Sequence, residues 1–202
     1  ECQPLKQDNV IFDANSFAQS GDTVYVHPTL GVYCNNISFA SIPNATVLYS
    51  SSGNYGLNVN GSVALAPELN PYNVLIVLTS PNVGNTIATG GNQLTGLYFN
   101  GTGTWDMLDA AELSHFAGIG GTLNTNGHDI NTGDVNIGGA GTLNLSTSTI
   151  TTLGFYVTGG AVTINGGSAN VVMTSSFLSF QPQGAHFNSV TFTGTANTQG
   201  AF

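Results

Sequence analysis

Apolar and polar residues alternate along most of this chain in short runs with a period of two. Val24-Tyr25-Val26, Ile37-Ser38-Phe39, Leu57-Asn58-Val59, Leu143-Asn144-Leu145, Val162-Thr163-Ile164 and Val190-Thr191-Phe192 each read as a strand with one face in a core and one in water. Gly, Asn or Pro bounds nearly every run, which predicts short strands joined by tight turns. Only residues 106–116 (DMLDAAELSHF) carry a helix-compatible pattern, and they read equally well as strand and turn.

The runs repeat. Residues 121–132 (GTLNTNGHDINT) align with residues 141–152 (GTLNLSTSTITT) at an offset of 20, with Gly, Thr, Leu, Asn, Ile and Thr recurring. A looser copy follows at Gly160-Ala161-Val162-Thr163-Ile164. Residues 97–102 (LYFNGT) match residues 190–195 (VTFTGT), 93 positions later. A 20-residue period with two or three strands fits one coil of a parallel β-solenoid, each coil stacked about 4.8 Å from the last. Ten such coils would make a rod roughly 50 Å long. The alternative, a β-sandwich, shares the short strands but does not predict the repeat. Residues 1–81 repeat less clearly, with Val63-Ala64-Leu65, residues 74–78 (VLIVL) and Pro67, Pro71 and Pro81. The expected organisation is a less regular N-terminal β region over 1–81, as a cap or small sandwich, and β-solenoid repeats over 82–202. The boundary is soft, and one continuous domain satisfies the pattern equally.

Composition then narrows the function. The chain has one Lys (Lys6), no Arg and ten carboxylates, a net charge of −9 from only 5% charged residues. A hydrophobic content of 41% in periodic runs argues for a packed core over disorder. One lysine cannot neutralise a phosphate backbone or an anionic bilayer, so nucleic acid and membrane surface are excluded as expected partners. No apolar run reaches membrane-spanning length, so no membrane insertion is expected. The first residue is Glu1, which reads as a processed, secreted form located outside the cell or at its surface. In that compartment Cys2 and Cys34 are expected to form a disulfide pinning the N-terminal arm; the alternative is two thiols, with Cys34 buried near Val32 and Ile37. The five Asn-x-Ser/Thr triplets at Asn36, Asn44, Asn60, Asn100 and Asn144 match what chance supplies in so Asn- and Thr-rich a chain.

Catalytic chemistry has few candidates. Asp106, Asp109 and Glu112 with His115 form the one dense acidic cluster, read as an acid/base pair, a cation site or a solvated turn, the turn being preferred. His27, His128 and His186 lack metal-ligand spacing. The Gly138-Gly139-Ala140-Gly141 stretch does not join a strand to a helix, which argues against a phosphate loop. No enzyme activity, cofactor or metal is expected. Trp105 and the seven tyrosines are candidates either for stacking on sugars or for core packing. The threonine-rich residues 147–152 (TSTITT) suggest an ice-binding array only if they recur coil after coil.

Residues 8–17 (DNVIFDANSF), 21–24 (GDTV) and 34–37 (CNNI), followed by 99–105 (FNGTGTW), 121–127 (GTLNTNG) and 187–194 (FNSVTFTG), resemble a β-repeat unit of large secreted adhesin-like surface proteins of Bacteroidota-type bacteria. Similar units occur in environmental phage fibre proteins. The resemblance implies a surface or fibre β-repeat without attached enzymatic chemistry. Members of that family are longer, multi-repeat chains with a C-terminal sorting domain, and this chain shows neither. A single unit would then gain length by polymerising. Solenoid ends without caps expose strand edges and core, and head-to-tail contacts that do not close make filaments. The expected interface combines Val10, Ile11 and Phe12 with Phe187, Val190, Phe192 and Phe202, and the expected partner is the chain itself. The alternative function is a monomeric glycan-binding adhesin or phage fibre module with surface glycans as partners.

Overall fold

The computed structural model describes residues 3–27, 31–51, 56–159, 161–175 and 179–194. It is a parallel β-solenoid of about eight turns, with no helix among the described residues. The first coil comprises β1 (Val10–Ile11), β2 (Thr23–Val26) and β3 (Val32–Cys34). The second comprises β4 (Ile37–Ser38), β5 (Thr46–Ser50) and β6 (Gly56–Val59), and the third β7 (Val63–Ala64), β8 (Leu69–Tyr72) and β9 (Leu75–Leu78). From the fourth coil on, a short strand alternates with a long one: β10 (Asn85–Ala88) and β11 (Gln93–Phe99), β12 (Thr104–Met107) and β13 (Ala111–Ile119), β14 (Thr122–Asn124) and β15 (Ile130–Gly139), β16 (Thr142–Asn144) and β17 (Thr149–Val157). The last strands are β18 (Thr163–Asn165), β19 (Asn170–Met173), β20 (Phe180–Gln181) and β21 (Ser189–Phe192).

Side one is the ladder β1-β4-β7-β10-β12-β14-β16-β18. Side two is β2-β5-β8 in the first three coils, and side three begins as β3-β6-β9. In later coils sides two and three fuse into the single long strands, whose second halves continue side three through the β9–β11 pairing. Inside–outside alternation slips at the bend, where Ser114 and His115 both turn away from the core between buried Leu113 and Phe116. Coil length falls with this fusion. Side-chain bonds between successive coils span 27, 26 and 24 residues early in the chain and 18, 20 and 21 later.

Residues 106–116 are therefore strand, turn and strand; neighbouring coils offer Leu113 and Phe116 a cross-strand core that outweighs local helix propensity. The 20-residue repeat is the true register, with Leu123 opposite Leu143 and Ile130 opposite Ile150. The next copy is Thr163-Ile164-Asn165 opposite Thr142-Leu143-Asn144, two residues out of step with the alignment on Gly160. Residues 97–102 and 190–195 are not equivalent: Leu97 stands on side three opposite Phe116, and Val190 on side two opposite Val171. The N-terminal β region is less regular, as expected, and its parallel ladders run on past Pro81.

Inward residues stack in columns. Leu97, Phe116, Val135 and Phe155 form one, Trp105, Leu123 and Leu143 another, all buried. Trp105 has no exposed surface; its ring meets Phe99 edge-on at 5.7 Å, and Nε1 donates to the Gly61 carbonyl at 3.4 Å. Outward on side one, Asn124, Asn144 and Asn165 each donate to the preceding carboxyl or amide oxygen at 2.7 Å, in a ladder that starts on Asp106. The recurring glycine of the repeat sits at the corner before side one. A Cβ on Gly103, Gly121 or Gly141 would lie 2.1 Å from a carbonyl oxygen one coil back. Every buried side-chain nitrogen or oxygen among the described residues has a hydrogen-bond partner.

Candidate functional site

The interface expected from sequence falls at the two ends of the coil stack. Among the described residues, β1, β2 and β3 have a strand partner on one side only, as do β18, β20 and β21. Their free edges present unpaired backbone N–H and C=O groups, the template on which another strand adds.

At the N-terminal end the first coil is hollow. A cavity of about 210 Å³ is lined by Val10, Phe12, Val24, Val32, Cys34 and, from the second coil, Leu48 among others. Phe17, from the turn after β1, is buried beside Phe12 and Phe39, with Phe12 and Phe39 stacked at 4.3 Å. Lys6 rests over the Tyr33 ring at 5.7 Å from its centre. The predicted interface residues divide here. Val10 and Phe12 pack against the core, whereas Ile11 is 67% exposed and points outward from side one, so only its backbone belongs to the end.

Cys34 is a free, buried thiol whose Sγ lies 4.0 Å from the Asn58 carbonyl. Burial pushes its pKa up to about 11, so it is protonated and unreactive at neutral pH. The expected partner, Cys2, lies outside the described residues, and no disulfide is seen among the described residues.

The C-terminal end is an aromatic surface. Phe155, Phe180, Phe187 and Phe192 form a chain of ring contacts between 5.6 and 6.3 Å. Val190 and Phe192 stand on Val171 and Met173, which are fully buried, but nothing among the described residues covers them from below. Phe192 is accordingly 38% exposed. Phe202 lies outside the described residues.

The acidic cluster disperses. Asp106 begins the amide ladder on side one. Asp109 accepts from the backbone N–H groups of Thr89 and Gly90 at 2.8 and 2.7 Å and so staples two coils together. Glu112 accepts from Asn131 at 2.8 Å, and His115 Nδ1 pairs with Asp134, one coil on. Each carboxylate therefore serves a different coil-to-coil contact. Among the described residues no three His, Cys, Asp or Glu side chains converge as metal ligands. The outward threonines of residues 147–152 do not recur, Thr151 standing between Asn131 and Val172, and the pair that does recur, Thr132 and Thr152, is buried. Trp105 belongs to the core. Three tyrosines instead form an outward column on side two, Tyr25, Tyr49 and Tyr72, which the sequence did not separate from the other four because alternation gives inside or outside but not coil alignment.

No protein-family model, curated protein or solved structure matches this chain.

Proposed function

We propose that this protein is a structural subunit of an extracellular filament or surface fibre, in which copies stack head to tail along the solenoid axis. The observation that carries this reading is the complementarity of the two ends. One presents an apolar hollow of about 210 Å³ and the other the partly buried Phe180 and Phe187 with Phe192 at 38% exposure, each framed by free parallel strand edges. Docking a second copy would extend the ladders and bury the apolar surface that each end leaves open. Because the two surfaces differ, the contact is heterologous and does not close on itself. Secretion fits the composition, and the resemblance to adhesin-like repeats points the same way.

Electron microscopy of the native protein tests the proposal. Uniform filaments one solenoid wide are expected, and Phe192→Asp is expected to leave single particles with an unchanged circular dichroism spectrum. Native protein that stays dispersed at high concentration overturns it.

A further inference from the structure

We propose that the cleft at the step between the third and fourth coils binds an uncharged oligosaccharide, with the Tyr72 ring as its stacking platform. On side two Tyr25, Tyr49 and Tyr72 lie on successive coils, with ring centres 5.6 and 5.5 Å apart. Tyr49 and Tyr72 are parallel to within 3°, so Tyr49 covers one face of the Tyr72 ring. The column stops there. The next coil replaces the separate strand and its turn by the first half of β11, and a cleft of about 390 Å³ opens on the side of Tyr72 away from Tyr49. Tyr72 is 56% exposed and lines it, opposite Gln93, Thr95 and Ser114.

The chemistry of the lining is that of a sugar site. An aromatic face meets the apolar C–H face of a pyranose, while amides and hydroxyls meet its rim of hydroxyl groups. Asn70, Asn73 and Gln93 line the cleft with exposed side-chain amides, which can donate to and accept from a ligand. The cleft does not end at Ser114. A second trough of about 340 Å³ shares Gln93 and Ser114 with it and continues past Glu112 and Asn131, which gives room for several residues of a chain. Charge selects among glycans. No cation lines either hollow, Glu112 lines the second, and the protein's one lysine is at the Tyr33 ring in the first coil. A uronate or sulfated sugar would enter unpaired beside a carboxylate, whereas a neutral one would not.

The site lies on the flank, away from both ends, so its occupation is independent of assembly. Isothermal titration of the protein with cellohexaose, chitohexaose, mannohexaose and oligogalacturonate tests it, alongside Tyr72→Ala, Gln93→Ala and Tyr25→Ala variants. At least one neutral hexasaccharide is expected to bind and oligogalacturonate is not. Tyr72→Ala is expected to weaken binding about tenfold and Gln93→Ala several-fold, with Tyr25→Ala unchanged. Both tyrosines are exposed at the surface, and matching thermal melts will show that the variants fold. The proposal is overturned if no neutral sugar gives heat up to its solubility limit, if oligogalacturonate binds as well, or if Tyr25→Ala and Tyr72→Ala act alike. Micrographs of the same samples separate this outcome from the filament: sugar binding without filaments would break only the assembly reading, and filaments without sugar binding only this one.

Discussion

The first three coils and the later ones solve the same packing problem with different perimeters. The early coils spend 24 to 27 residues on three separate strands and their turns, whereas later coils close in 18 to 21 with one short strand and one long bent strand. The wide region is filled by aromatic stacking at a corner, Phe12, Phe17 and Phe39, and carries its tyrosines outside. The narrow region is held by columns of Leu, Val, Ile and Phe and by an external amide ladder. A solenoid thus tolerates a change of cross-section provided each coil matches its neighbour in register, because its energetics are nearest-neighbour.

The largest expected effect lies at the junction of the two regions. Trp105, in the narrow part, donates to Gly61 in the wide part and fills the space beneath it. Trp105→Ala is expected to cost about 3–5 kcal/mol. It should also split one thermal transition into two, as the regions lose a contact they share besides the β7–β10 and β9–β11 pairings; calorimetry reads both effects. A single unsplit transition would show the regions to be coupled by the strand ladders alone. Next comes Gly121→Ala. Its Cβ would lie 2.1 Å from the Gly103 carbonyl oxygen, and backbone must move on either side. A loss of about 2–3 kcal/mol is expected, with hydrogen-exchange protection falling in β12, β14 and β16 and unchanged in β2 and β5. The smallest effect belongs to the wide end. The Asn15 N–H, aided by the Ser16 hydroxyl, holds the Asp13 carboxyl below its ordinary pKa of 3.8. This contribution is present above pH 3.8 and disappears as pH falls through the lower folded value, so the Asn15 amide should begin to exchange faster only below that pH. Uniform acceleration over all coils would show a global acid transition instead.

How far this fold was legible follows from the same contrast. In the narrow region one coil differs from the next by one or two residues, so Leu123 and Leu143, Ile130 and Ile150, and the corner glycines Gly121 and Gly141 align in the sequence as they do in space. In the wide region the strands of each coil are as regular in space, with Val10, Ile37 and Val63 in line, but turns of different lengths between them erase the period. The match between residues 97–102 and 190–195 failed for the opposite reason: an apolar–polar–apolar triplet before Gly-Thr suits the end of a strand on any side. The candidate ends were legible as residue types. Ile11 was grouped with Val10 and Phe12, although period-two alternation puts it on the opposite face, where the structure leaves it exposed. The tyrosine column and its cleft were not legible, since both depend on where one coil narrows over another. Of the five glycosylation triplets, Asn36 and Asn144 use their side-chain amides to tie neighbouring coils, so a glycan there would cost those bonds.

The narrowing has a consequence for any polymer. A subunit with a 27-residue coil at one end and a 21-residue coil at the other has unequal ends, and such ends stacked one on the next do not make a smooth cylinder. Each junction would set a narrow coil against a wide one, and the fibre's outline would swell and shrink once per subunit, every 40 Å or so for eight coils at about 4.8 Å each. Such a fibre would carry its direction in its silhouette: a thread of arrowheads, whose leading and trailing ends could be told apart without resolving a single side chain.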